Sequence, residues 1–314
     1  MLLILIGIIV WLNHQALIDT FTVWRYTPSA QVAEITNKIP FTDNGKFTFF
    51  AARPSVLASD EFNSKCDRKE QNTAILGCYV GDTIYVFNVS DQRLEGIKEV
   101  TAAHEMLHAA YYRLSPGEKQ RINELVAVEF EELKNNPTYM ERMEFYARTE
   151  PGERDNELHS IIATEIANIG QELENYYSRY FTDRQAIVDV YQSYNSTFTS
   201  LAAAADQLSE QLDQLNKEIE FASKRYNEDV EQLNADIESF NQRARNGDFA
   251  SQAQFNDERQ SLVTRADQVS NSRQNINELI AEYNRLRDEY NDTVTQSNNL
   301  YKSIDSSLAP APQV

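Results

Sequence analysis

Val100-Thr101-Ala102-Ala103-His104-Glu105-Met106-Leu107-His108-Ala109-Ala110-Tyr111-Tyr112 is the stretch on which the reading of this chain turns. It holds neither Gly nor Pro and reads as a helix. On a helix, residues four apart share one face, roughly 5–6 Å apart at Cβ. His104 and His108 can therefore grip one metal ion. Glu105 then stands beside that ion rather than on it, placed to take a proton from a metal-bound water. The chain has four histidines, His14, His104, His108 and His159, so finding two of them in this frame is hard to assign to chance. The plainer alternative is an amphipathic helix with two half-buried histidines.

A catalytic zinc site normally has three protein ligands and one open position for water. Zn2+ is the metal that a site of two His and one carboxylate suits best. A third His six residues after His108 would complete the frame of the metzincins, but position 114 is Leu. The other common solution is a Glu on a later helix. The chain offers Asn156-Glu157-Leu158-His159-Ser160-Ile161-Ile162-Ala163-Thr164-Glu165.

The HExxH frame followed by Asn-Glu-x-x-Ser resembles the gluzincin branch of the zincin metallopeptidases. That resemblance implies Glu157 as third ligand, a zincin-like α+β domain and hydrolysis of peptide bonds. The thermolysin-like pattern continues with Asp after the Ser, where this chain has Ile161. Other gluzincins carry a second Glu further along the same helix, as Glu165 follows Glu157 here. Helix geometry separates Glu157 and Glu165 by about 80°, so both can border one site. His159 points about 160° away from Glu157, so the two cannot share a metal on a regular helix. Glu157 is the expected ligand, with Glu165 and His159 as alternatives. Glu105 is the expected general base. Tyr111, Tyr112 and His159 are candidates for a catalytic donor to the oxyanion. In the resembling enzymes an edge strand before the active-site helix pairs with an extended peptide substrate. Ile84 to Val89 is expected to play that part by strand addition.

Outward from this helix, the preceding residues carry strand signals. Lys46-Phe47-Thr48-Phe49-Phe50-Ala51-Ala52 follows the turn-like Asp43-Asn44-Gly45. Asp82 to Val89 is β-branched and aromatic and follows Gly81. Downstream, Ser115-Pro116-Gly117-Glu118 is a capping box that opens a helix to about Leu133. A shorter helix is expected over Thr138–Ala147 and another from Asn156 to about Phe181. Cys66 and Cys78 are the only cysteines and are natural disulfide partners if the domain is exported.

The first twelve residues, MLLILIGIIVWL, are entirely apolar, and Ala16, Leu17 and Ile18 continue the run. Residues 1–20 read as an N-terminal membrane anchor, with a cleaved signal or a buried core helix as alternatives. From about Asp183 the texture changes. Leu208, Leu212, Leu215, Ile219, Ala222, Tyr226, Val230, Leu233, Ile237, Phe240 and Ala244 follow a heptad with one stutter. After Asn246-Gly247-Asp248 a second run passes through Leu262, Ala266, Val269, Ile276, Ile280, Tyr283, Tyr290, Val294 and Tyr301, with Arg273 at a core-phase position.

The expected architecture is thus an anchor (1–20), a zincin-like domain with a small N-terminal sheet and then helices (21–182), an antiparallel coiled-coil hairpin (183–305) and a disordered tail (306–314). The net charge of −19, from 48 acidic and 29 basic residues, argues against a nucleic-acid partner. Two functions fit. One is a membrane-anchored, extracytoplasmic zinc metallopeptidase acting on peptide or protein substrates, with the hairpin recruiting a partner or a second copy. The other is a surface scaffolding or adhesion coiled-coil protein whose zinc domain is inactive or structural.

Overall fold

The computed structural model describes residues 14–66, 74–135, 140, 143–144 and 152–308. The chain falls into two compact units, residues 1–199 with 298–314, and residues 200–297. These boundaries fall inside the two long helices, whose outer ends, next to the expected boundaries at 183 and 305, belong to the first unit.

Among the described residues the first unit begins with three helices, α1 (His14–Arg25), α2 (Ala30–Lys38) and α3 (Asp43–Ala51). Strand β1 (Ser55–Leu57) and helix α4 (Ser59–Lys65) follow, then β2 (Gly77–Val80) and β3 (Thr83–Phe87). The sheet has the order β1-β3-β2, with β1 parallel and β2 antiparallel to β3. Next come α5 (Ile97–Tyr112), α6 (Pro116–Leu133), α7 (Arg154–Glu165) and α8 (Gln171–Tyr177). The molecule is mostly helical, as the sparse Gly and Pro lead one to expect.

Helix α5 is the centre of the core. Ala102, Ala103, Met106, Leu107, Ala109 and Ala110 are all buried, the four alanines letting β2, β3 and α7 approach closely while Met106 and Leu107 fill the core. Its neighbour α6 has the expected capping box: Ser115 Oγ accepts from Glu118 N, and the Glu118 carboxylate accepts from Ser115 N. Cys66 and Cys78 are disulfide-bonded, tying the end of α4 to β2. Closing a loop of this length stabilises by about 3 kcal/mol.

The helix expected from Asn156 to about Phe181 is broken into α7 and α8, and three helices precede the sheet expected to lead the domain. Three further expectations need correction. The stretch Lys46–Ala52 is not a strand; most of it lies in α3. Thr42 caps that helix by accepting from Gly45 N at 3.0 Å, so Asp43-Asn44-Gly45 is a first helical turn and not a hairpin turn. A Cβ on Gly45 would lie 2.1 Å from the Tyr180 carbonyl oxygen, and its absence lets α3 press against that backbone. Packing of Phe49 into the core overrides the β propensity of the aromatic run. Second, β3 is the central strand, paired on both sides, so Ile84–Val89 cannot accept a further strand; β1 and β2 are the edges. Third, the tail does not begin at 306. Ser306 is buried, its Oγ donates to Asn63 Oδ1 at 2.6 Å, and its carbonyl accepts from Asn63 Nδ2 at 3.0 Å. Residues 1–13, most of the helix expected over Thr138–Ala147, and 309–314 lie outside the described residues. Among the described residues no helix is long and apolar enough to cross a membrane.

The second unit is formed by two long helices, α9 (Arg184–Asn246) and α10 (Gln252–Ile304), which meet at Gly247 with φ of 78°. They run antiparallel: Arg265 donates to Asp236 at 2.5 Å, Arg243 pairs with Glu258, and the Phe240 ring meets Phe249 and Phe255. In α9 the less exposed positions follow the expected heptad up to Phe240; Ala244 is exposed. In α10 the inward positions are Leu262, Arg265, Val269, Ser272, Ile276, Leu279, Tyr283, Leu286 and Tyr290, in regular steps of three and four. Ala266, Arg273, Ile280 and Tyr301 face outward instead. Polar Arg265 and Ser272 occupy core-phase positions, so a reading that follows apolar residues alone slips by one.

Candidate metal centre

Helix α5 presents His104 and His108 one turn apart, their rings 4.8 Å apart and nearly perpendicular. Helix α7 packs across α5 and brings Glu157 to them. Glu157 Oε2 lies 3.5 Å from His104 Nε2, and Glu157 Oε1 lies 3.5 Å from His108 Nε2. One ligand atom from each of the three residues falls within 4.8 Å of the others. Ligand atoms held at zinc-like bond lengths around a tetrahedral centre are about 3.4 Å apart. The carboxylate-to-imidazole distances match that figure and exceed the usual range for a direct N–H···O bond. Among the described residues this is the one group of His, Cys, Asp and Glu that could hold a metal ion. Two imidazoles and one carboxylate form a donor set that suits several first-row divalent metals.

The second nitrogen of His108 is also held. With Nδ1 protonated, His108 donates to Asn156 Oδ1 at 3.0 Å, which leaves Nε2 free to face the metal position. Asn156 is kept in that orientation because its Nδ2 donates to Glu153 Oε2 at 2.9 Å. Ser160 Oγ stands 3.5 Å from the same His108 Nδ1. Such support of a ligand His raises its basicity and fixes its ring. In thermolysin-like sequences the residue after the Ser is Asp; here Ile161 is buried apolar core, and Asn156 holds His108 from the other end of the ligand helix.

Burial works against charging His104, but Glu157, Glu105 and Glu165 outweigh it, so its pKa lies above the ordinary value. Glu165 thus acts on His104 through its charge, and Glu157 is the carboxylate in the ligand group. Glu105 is buried beside β2. A Cβ on Gly77 would lie 2.7 Å from Glu105 Oε1, 2.8 Å from its Cγ and 2.6 Å from Thr101 Cγ2. Only glycine lets the edge strand pass this close to the Glu105 side chain.

The donor candidates sit elsewhere. His159 is fully buried in a cage formed by Tyr111, Tyr176 and Tyr177, and its Nε2 is 3.0 Å from the Tyr176 hydroxyl. Burial, with the neighbouring His108 and His104, pushes its pKa down to about 3, so the ring is neutral. The Tyr111 hydroxyl donates to Asn123 Oδ1 on α6 at 2.8 Å. Tyr112 lies against the Tyr79 ring and is half exposed. The structure therefore brings together His104, Glu105, His108 and Glu157, and does not bring His159 into the ligand group. Asn156, Glu153 and Gly77 escaped the sequence reading. Their roles depend on how α7 and β2 pack on α5, which residue spacing does not encode.

The chain matches no protein-family model, no curated protein and no solved structure at a significant level.

Proposed function

We propose that this chain is a membrane-anchored, extracytoplasmic zinc metallopeptidase with a zincin-like core. The observation that carries the reading is the convergence of His104, His108 and Glu157, with the carboxylate 3.5 Å from each imidazole and Glu105 buried beside His104 on the same helix. Zinc bound by these three residues would polarise the scissile carbonyl and lower the pKa of a water toward 7. Glu105 would accept that water's proton on its carboxylate and hand it to the leaving amine. Asn156 would keep His108 in the tautomer that presents Nε2. Strand β2, paired on one side only among the described residues, would take an extended peptide along its free edge, next to Glu105. The disulfide fits an oxidising compartment outside the cytoplasm, and the apolar run Met1–Leu12 fits an anchor.

The second reading, a scaffold whose metal group is structural, draws on the length of the hairpin. Glu105→Gln separates the two. Under the peptidase reading the purified chain carries about one zinc per molecule, the variant retains it, and hydrolysis of a peptide library is lost. Glu157→Ala loses the metal. A parent protein purified without metal defeats the peptidase reading. Equal hydrolysis by parent and Glu105→Gln defeats the role of Glu105.

A further inference from the structure

Helix α1 has two unlike faces. Asp19 is buried and receives two bonds from Arg113, from Nε at 3.0 Å and from Nη2 at 2.9 Å. Arg113 also donates to the Ala109 carbonyl and the Tyr79 hydroxyl, so α1 is riveted to the end of the metal helix α5 and to β2. On the face roughly 100–160° round from Asp19 the helix is apolar and uncovered. Leu17 is 53% exposed, Ile18 54%, Phe21 56% and Trp24 79%. These four fall on one stripe with Arg25, whose guanidinium lies 5.5 Å from the Phe21 ring centre. Val80 and Tyr112, also more than half exposed, border a shallow depression with Gln15 of the same helix.

We propose that this stripe is a lipid-contact surface that seats the first unit on the interface of a bilayer. Three observations select lipid over a protein partner. The stripe begins at Leu17, five residues after the uncharged apolar run Met1–Leu12 and past Asn13, His14 and Gln15, so no Asp, Glu, Lys or Arg separates the two. Its composition, aliphatic near the run and Phe, Trp and Arg at the far end, is that of a segment leaving the hydrocarbon through the headgroup layer. The acidic residue on α1 is the one turned inward and paired, so lipid meets no carboxylate from this helix. A net charge of −19 disfavours attraction to anionic headgroups, so the contact is apolar and insensitive to salt. Because Arg113 is five residues beyond His108, the metal group would stand roughly 8 Å along α5 from the anchored end. The substrates implied are polypeptide segments close to the bilayer surface.

The inference rests on the anchored part of the reading above and not on peptide hydrolysis. Tryptophan occurs only at positions 11 and 24, so Trp11→Phe leaves Trp24 as sole reporter in the full chain. The variant is incorporated into phosphatidylcholine vesicles whose acyl chains carry bromine either near the headgroup or near the chain end. Flotation with the vesicles at low and high salt tests the anchor. Trp24 emission tests the seat: a shift to shorter wavelength and loss of about half the intensity to the shallow bromine are expected. Adding Leu17→Gln and Phe21→Gln should return Trp24 to water while zinc content and helicity stay unchanged. A chain that does not float overturns both the anchor and the seat. A chain that floats with Trp24 water-exposed overturns the seat alone, as does stronger quenching by the deep bromine. Trp24 shielded without lipid, in a form whose size grows with concentration, assigns the stripe to a second copy instead.

Discussion

Helix α5 and the hairpin of α9 and α10 are the same secondary structure put to opposite uses. Thirteen of the sixteen residues of α5 are buried, among them Glu99, Glu105 and His108. Between Ser200 and Ser297 only Leu208, Leu233, Phe240, Ile276 and Leu286 reach that state. A helix enclosed on every side must satisfy each polar group it carries, and that cost is met at functional sites. A helix that buries one stripe needs only a periodicity. The difference predicts that single changes around α5 act on chemistry, whereas single changes in the hairpin act, weakly, on stability.

The strongest way to break the contrast is to remove a ligand. His108→Ala should abolish metal content and reduce peptide hydrolysis by at least about 1,000-fold, since an open metal position needs all three donors. Elemental analysis and turnover on a peptide library measure both. Metal retained at full stoichiometry would show that His108 is a core histidine and nothing more. Chelation of the parent should lower the melting of the first unit and leave that of the hairpin in place, because the metal group lies wholly in the first unit.

Arg184 sharpens the comparison, because it is the first residue of α9 yet belongs to the core of the first unit. Its buried guanidinium donates to the carbonyls of Ala163, Ile166 and Ala167, closing the C-terminal end of the helix that carries Glu157, and to Glu174. Arg184→Met strands those acceptors and should destabilise the first unit by about 3 kcal/mol. Two melting transitions followed by circular dichroism would separate the units. A shift confined to the hairpin would contradict this assignment.

Gly77 and Asn156 probe geometry rather than the presence of a ligand. Gly77→Ala places a methyl against Glu105 and should cost about 100-fold in kcat with zinc still bound. Unchanged kcat would mean that β2 yields and that the Glu105 position is not critical. Asn156→Ala removes the acceptor that holds His108 Nδ1 and should weaken zinc binding by roughly 10–100-fold. Competition with a chromogenic chelator measures this directly.

These cases mark where sequence stops being informative. His104, Glu105 and His108 were legible because helix spacing alone sets their relation. Glu157 was expected from the resemblance of Asn-Glu-x-x-Ser to the gluzincin ligand helix, since helix periodicity alone set His159 apart but left Glu165 beside it. Asn156 was not, since its partner is 48 residues away and their contact is made by the packing of α7 on α5. The place of β3 at the centre of the sheet depends on β1, a strand of three residues too short to show alternation. Helix α3 was misread because its aromatic run favours a strand while its capping Thr42 and the close contact at Gly45 favour a helix. In α9 the heptad was correctly phased because every core position is apolar. In α10 it slipped where Arg265 and Ser272 take core-phase places.

That slip gives the smallest expected effect and the most direct test of the hairpin register. Ile280 fits the apolar pattern but is 41% exposed, whereas Leu279 turns inward. Ile280→Gln should change hairpin stability by less than about 0.5 kcal/mol, and Leu279→Gln should cost roughly 1–2 kcal/mol. Thermal melting of the two full-length variants side by side decides between the registers, because the substituted residues are neighbours with similar helix propensity and differ mainly in the face they occupy. If Ile280→Gln proves the costlier change, α10 follows its apolar residues after all, and the pairing of Arg265 with Asp236 cannot be the register that holds in solution.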